Sequence, residues 1–330
     1  MTYERWLEAK PGIYNACFSE VEGYEPGWFS PLQRKLSHSQ LKEYFDCPFK
    51  YFLNRVLAVE SVEAPAWNWE VGKLERGNFL HSILEKAFKK IKTRKEISTA
   101  EQWRKLIEEI IQQEDKEKIA RKLWLFPALV ESELDEYILY LYSWYQHLLP
   151  EPDYNYWKTE EDFYNKPVKF EVGEGKIVRL TGKIDRLDLK KQGRKFIQGG
   201  ILDYKVAKAK NDLLNNSQLL IYFLAVENLY GIPRERLKAK FLYIQPEGLS
   251  GPEKLEISGD ELEDKLEKLK EMLNLMLEGI EKGIFYIIPE PNGYCAYCDY
   301  YKKICFPDTE KLSPEFLSQI KELRKLKWGR

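Results

Sequence analysis

Cysteine, histidine and methionine are scarce in this chain, at five, three and three among 330 residues. Five thiols are too few for a disulfide framework in a chain this size, and point instead to metal or redox chemistry. Excess charge of one sign is also lacking. The 52 basic and 53 acidic residues leave a formal charge of -1, so any surface for a polyanion must be a local patch. No apolar run approaches the length of a membrane span, and Met1 to Lys10 contains no apolar segment after a basic start. The expectation is therefore a cytoplasmic chain with no membrane partner. No Gly-Lys pair is followed by Ser or Thr, so a P-loop is missing and the chain is not expected to be an ATP-driven motor by itself. What is there is 44% hydrophobic content, enough to fill one large core or two modest ones.

Apolar periodicity predicts a helix over Ser39–Leu57, with Cys47 inside it, and another over Leu74–Ile91 carrying Leu80, Ile83, Leu84, Ala87 and Phe88 on one face. Helical patterns continue over 100–149. Strand-like runs follow at 176–189 and 195–206, joined by the turn-like Lys190 to Arg194, which predicts a hairpin. A helix over Ser217–Tyr230, a strand over Leu237–Gln245 and a charged amphipathic helix over Asp260–Lys282 complete a mixed α/β order. The segment 289–307 is dense in Pro, Gly, Tyr and Cys and is expected to be a constrained loop. A short basic helix closes the chain.

The hairpin carries the chemistry. Asp185 lies in Gly182-Lys-Ile-Asp-Arg-Leu-Asp188 on one strand, and Asp203 and Lys205 lie in Leu202-Asp-Tyr-Lys205 on its partner. Side chains alternate along a strand, so Asp203 and Lys205 share a face from which Tyr204 points away. Two acids and an amine at one site suit phosphodiester hydrolysis. Hard oxygen ligands hold Mg²⁺ or Mn²⁺, which neutralises phosphate charge and makes a water nucleophilic. Asp185 and Asp203 would be the ligands. Lys205 would orient or activate the water, or stabilise the developing charge. An isolated D-x-K, however, is more often a surface ion pair on an ordinary hairpin.

Four motifs in order lift it above that background. Gly77 to His81 matches G-x-x-x-H, Gly182 to Asp188 matches G-x-x-D-R-x-D, Leu202 to Lys205 matches x-D-Y-K, and Gln218 to Tyr222 matches Q-x-x-x-Y. Together they resemble the RecB-like nucleases of the PD-(D/E)XK superfamily, including AddB and the CRISPR-associated four-cysteine exonucleases. The resemblance covers about residues 39–305. It implies a restriction-endonuclease-like α/β core, a mixed central sheet flanked by helices, with a helical insertion at about 95–160 that matches nothing in the family. It also implies that neutral His81 lies beside the metal, as a ligand or a partner of the ligands, and that the Tyr204 backbone carbonyl joins the ligands. Gln218 and Tyr222, four apart on one helix face, would position substrate or lysine together with Arg186, although Arg186 points away from Asp185 and suits a structural or phosphate-contacting role. Glu85, one turn beyond His81, is taken as a solvated helix charge, and His38 and His147 have no context.

Cys295-x2-Cys298-x6-Cys305 places three thiols in one loop, and Cys47 can supply a fourth. Four thiolates suit either Zn²⁺ or an iron–sulfur cluster, and spacing alone favours zinc. The one-plus-three arrangement resembles the cluster-bearing nucleases, which implies [4Fe-4S], with zinc the lesser alternative. Such a group would staple the two ends of the chain, shielded by Tyr294, Tyr297, Tyr300 and Tyr301, which are also able to stack on unpaired bases. Cys17 is expected to be a plain buried thiol. The predicted division is 1–70, supplying one cluster cysteine, 71–288, the core with its insertion, and 289–330, the three-cysteine loop and terminal helix. The implied activity is cleavage of DNA, single-stranded or with free ends, beside a helicase in repair, with CRISPR spacer acquisition or a silent DNA-binding scaffold as rivals.

Overall fold

Ser37 sets where the first helix begins. Its hydroxyl accepts from the Gln40 N–H, and Gln40 Oε1 accepts from the Ser37 N–H at 2.8 Å, a reciprocal cap that satisfies two otherwise orphan donors. Strand β1 (Lys35–Ser37) therefore leads directly into α1 (His38–Asp46). The single helix expected over Ser39–Leu57 is broken. Pro48 disfavours helical backbone at the residue before it, so Cys47 is extended, and the chain resumes as α2 (Pro48–Tyr51) and a π-turn at Phe52–Val56. The computed structural model describes residues 18–19, 21–30, 34–59, 67–173, 175–206, 213–244, 253–258, 262–285, 287–288, 294–301 and 305. Cys17 and the expected C-terminal helix lie outside the described residues.

Helix α3 (Lys73–Lys90) buries Phe79, Leu80, Ile83, Leu84, Ala87 and Phe88, each large side chain contributing about 1.5–3 kcal/mol by leaving water. It packs on α4 (Ala100–Gln112) and α5 (Lys116–Leu123), and α4 in turn packs on α6 (Val130–Ser143) and the short α7 (Tyr145–Leu148). The helices stop there. Residues 156–162, expected to end the helical insertion, form strand β2 (Tyr156–Asp162), where aromatic and β-branched Tyr156, Trp157 and Thr159 suit a pleated surface better than a helix.

Next come β3 (Val168–Gly173), β4 (Lys176–Thr181), β5 (Lys183–Gln192), β6 (Lys195–Lys205), helix α8 (Leu213–Tyr230), β7 (Leu237–Tyr243), β8 (Glu253–Ser258) and helix α9 (Leu262–Glu281). The strands make two sheets, ordered β1-β4-β3 and β2-β5-β6-β7-β8. In the larger sheet β6 and β7 are parallel, linked through α8, and the other neighbours are antiparallel. The run expected as one strand over 176–189 is split at Gly182, where the chain crosses from one sheet to the other. A Cβ there would lie 3.0 Å from the rings of both Phe163 and Tyr222, so the crossing is tight enough to require glycine.

Two apolar cores flank the large sheet. One joins it to α1, α8 and α9, and the other packs α3 to α7 against its opposite face through Tyr204, Leu242 and Ile244. Strand alternation thus sends Tyr204 into the helical layer and leaves Asp203 and Lys205 toward α8. Among the described residues no helix is long and apolar enough to cross a membrane.

Candidate active site

Three acids stand abreast across three strands. Strand β2 pairs Thr159 with Arg186 and Glu161 with Ile184, which sets Glu160 opposite Asp185. The β5–β6 ladder ends at Arg186 and Leu202, so Asp185 and Asp203 face each other one position beyond, where the strands part. Asp185 Oδ2 accepts from the Tyr204 N–H at 2.8 Å, a side-chain bond in place of the ladder bond. Glu160 has φ 53, a left-handed backbone that a non-glycine residue adopts at a cost of about 1–3 kcal/mol and that concentrates at functional sites. Sequence reasoning missed Glu160. Its signal was the acidic Glu160-Glu161-Asp162 run on an aromatic, β-prone segment.

Helix α3 delivers His81 to this row. Its Nε2 donates to the Tyr204 carbonyl at 2.8 Å, and its Nδ1 lies 3.4 Å from Asp185 Oδ2. His81, Glu160 and Asp185 offer ligand atoms within 4.8 Å of one another. Glu85 instead pairs with Lys89 at 2.5 Å on the helix surface, consistent with a solvated helix charge.

Lys205 Nζ stands 2.5 Å from Asp203 Oδ2 and donates to Gln218 Oε1 at 2.9 Å. The Gln218 amide donates to Asp203 Oδ1 at 2.7 Å and to the Tyr222 hydroxyl at 2.8 Å. Tyr222 in turn donates to the Lys183 carbonyl at 2.6 Å. Only this amide orientation matches donors with acceptors, so Gln218 fixes Asp203 and Lys205 together. Behind it, His38 Nδ1 meets the buried Ser217 hydroxyl at 3.0 Å, a contact the sequence left without context.

The site carries surplus negative charge. Burial, then the charge of Asp185, raises the Asp203 carboxyl above the ordinary range, although Lys205 and His81 oppose the shift. Burial works to lower the His81 pKa, but its bond to Asp185 and the charges of Asp185 and Asp203 outweigh it and raise the pKa. A cation relieves both effects. The donors are carboxylates, one carbonyl and one imidazole, a hard set that fits Mg²⁺ or Mn²⁺.

Arg186 lies elsewhere. It is 1% exposed, paired with Asp188 at 2.8 Å through Nε, donating to the Tyr204 hydroxyl at 2.9 Å and to the Leu148 carbonyl, with its guanidinium 4.2 Å over the Phe88 ring. The substrate-positioning place expected for it is not where the fold puts it. Its Nη donors are spent on Leu148, Tyr204 and Asp188, and its burial keeps it away from a phosphate.

The four cysteines converge at the other end of α1. Cys47, Cys295, Cys298 and Cys305 line one cavity with Tyr294 and Tyr300. The loop is closed by Cys298 N–H to Cys295 carbonyl and Cys305 N–H to Tyr300 carbonyl bonds, and Tyr300 donates to the Val59 carbonyl at 2.6 Å, tying it to the N-terminal segment. Burial pushes the Cys47 thiol up to about 11, and burial with the neighbouring thiols raises Cys305 as well. Four thiols gathered in one cavity, two of them held protonated by burial, fit a site meant for a cation.

Fold, acid row and lysine together define a nuclease of the PD-(D/E)XK type, and the chain belongs to the PD-(D/E)XK nuclease superfamily, whose family profile matches residues 35–306. It is similar to a subunit of the ATP-dependent helicase/deoxyribonuclease of Clostridium perfringens (strain 13 / Type A), 23% identical over 270 residues that cover 74% of this chain and 22% of that protein. The corresponding protein from Clostridium botulinum (strain Loch Maree / Type A3) is 27% identical over 286 residues, covering 77% and 24%. The chain thus spans less than a quarter of the curated relatives it matches. A solved structure of a candidate exonuclease from Eubacterium rectale overlays with TM-score 0.46 at 12% identity, over 84% of this chain and 92% of that one.

Proposed function

We propose that this chain is a Mg²⁺- or Mn²⁺-dependent deoxyribonuclease that cuts DNA at single-stranded or free ends. What carries the proposal is the convergence of Glu160, Asp185, Asp203, His81 and Lys205 at the parted end of β5 and β6. Asp185, Asp203, Glu160 and the Tyr204 carbonyl, with His81 beside them, would hold the divalent ion, which would supply Lewis acidity and a bound water more acidic than bulk water. Lys205, held by Gln218, orients that water or meets charge developing on the phosphate. Tyr222 and Gln218 keep the lysine and Asp203 in register.

The similarity to helicase/deoxyribonuclease subunits supports a place in DNA end-processing beside an ATP-driven helicase. The cysteine cavity would hold a [4Fe-4S] cluster that staples the chain's ends. Its visible absorption and paramagnetic signal after reduction would separate it from colourless zinc.

The direct test is cleavage of end-labelled single- and double-stranded DNA with Mg²⁺ or Mn²⁺ by anaerobically purified wild type, Asp203→Ala and Lys205→Ala. Wild type should cut, and both variants should fail by about 10²-fold or more while staying folded. Binding of DNA by wild type without cleavage under either metal would overturn the enzyme reading in favour of a silent scaffold.

A further inference from the structure

An aromatic surface lies beside helix α3 that the catalytic chemistry leaves unused. Asn68 and Leu125 form an isolated parallel bridge, with Asn68 N–H donating to the Trp124 carbonyl at 2.7 Å and Phe126 N–H to the Asn68 carbonyl at 3.1 Å. Residues flanking a bridged position share a face. Trp67 and Trp69 therefore stand on one side of the first segment, and Trp124 and Phe126 on the matching side of the second. Trp67 meets Trp124 edge-on at 6.1 Å between ring centroids, and Trp69 lies over Phe126 at 4.6 Å. Leu125 is buried on the reverse side, while Trp67 is 42% and Trp69 74% exposed. Four rings are thus presented as one surface by a two-residue ladder.

Trp124 caps α5 with φ 48, a left-handed backbone that favours glycine and is strained for a bulky residue. The rings also lie just ahead of the helix that carries His81, with three residues separating Trp69 from Lys73. At 100° per residue, Leu74, Asn78, His81 and Glu85 fall within an arc of roughly 60°. Leu74, in the first turn of that helix, is 69% exposed. It stands about 10 Å along the axis from His81.

We propose that Trp67, Trp69, Trp124 and Phe126 form a stacking shelf for unpaired bases of the strand whose phosphate enters the Asp185–Asp203 site. The inference rests on the nuclease reading above and gives it a specificity device. Aromatic faces accept any base, whereas paired bases in a duplex are already stacked and gain little. The shelf therefore selects single-stranded tails long enough to reach it from the cut.

The test is binding of fluorescently labelled oligothymidylate to the full chain with Ca²⁺ in place of Mg²⁺. Trp69→Ala should weaken binding of a twelve-nucleotide strand by roughly tenfold or more, Trp69→Tyr should restore most of it, and neither should alter binding of a blunt duplex. Melting temperatures check that both variants are folded. Equal affinity of Trp69→Ala and wild type for the long strand overturns the shelf, as does an equal loss on the blunt duplex. Loss of binding to a helicase partner with DNA affinity intact overturns it in favour of a protein-docking face. Cleavage separates the two proposals: if wild type cuts and Asp203→Ala does not, the nuclease reading stands whatever Trp69 does. If wild type never cuts but binds single strands through Trp69, the shelf stands without it.

Discussion

Arg186 offers the sharpest test, because its motif position suggests contact with substrate and its burial forbids it. Replacing it with methionine keeps the apolar stem over Phe88 but removes the charge. Asp188, 2% exposed, would then be a buried carboxylate without its partner, and the Tyr204 hydroxyl and Leu148 carbonyl would lose their donor. Breaking a buried pair from one side costs about 3–5 kcal/mol. With an unfolding entropy of about 2.1 cal/mol/K per residue, a 330-residue chain should lose about 4–7 °C in Tm. Arg186→Lys should not rescue, since an ammonium cannot serve Asp188, Tyr204 and Leu148 in one plane. The double variant Arg186→Met with Asp188→Leu should recover much of the loss. The assay is thermal and urea unfolding beside steady-state kinetics on DNA. A wild-type Tm with a raised KM in Arg186→Met would refute the argument and return the guanidinium to the phosphate.

Three further outcomes are expected. Glu160→Gln should weaken Mn²⁺ binding by on the order of tenfold or more, read by calorimetry; unchanged affinity would reduce Glu160 to the ion-pair partner of Lys183. Cys47→Ser should destabilise the chain by about 5 kcal/mol, the loop-closure entropy of a crosslink between positions so distant, and an unshifted unfolding midpoint would exclude a staple at that cavity. His38 is held neutral, its pKa lowered to about 3 by burial and then by Lys205 and Lys42. The unfolded chain therefore binds the extra proton below its ordinary 6.5, and stability present above that pH is lost as pH falls, by at most about 2 kcal/mol at pH 5. Asp203, raised in the fold, contributes the opposite slope. His38→Gln against wild type isolates the histidine, and parallel stability curves from pH 7.5 to 5 would contradict the assignment.

Asp203 and Lys205 were legible because a strand's period of two needs no tertiary information, and His81 because helical spacing and its motif fix it. Glu160 was not. A left-handed residue on a strand breaks the alternation that announces a strand, and the helical run before it made its segment look like more insertion. The break at Cys47 was written in Pro48 but outvoted by apolar periodicity on both sides, and the sheet crossing at Gly182 needed the rings of Phe163 and Tyr222, which no local pattern supplies. His38 stood without context because its partner Ser217 is 179 positions away.

The break at Cys47 and the pairing of His38 meet on one helix. Because Pro48 stops α1 at Asp46, Cys47 sits at its end, facing the cysteine cavity, while His38 at its start bonds to Ser217 beside Gln218. Nine helical residues rise about 13 Å, so a short rigid rod joins the proposed staple to the residue that holds Asp203 and Lys205 together. A helix running unbroken to Leu57 would carry Cys47 in its middle, and the cavity would not lie at the end of a rod. The proposed staple would therefore act on the proposed catalytic row through α1: a group pinning Cys47 would hold the helix whose other end places His38 against Ser217, next to Gln218.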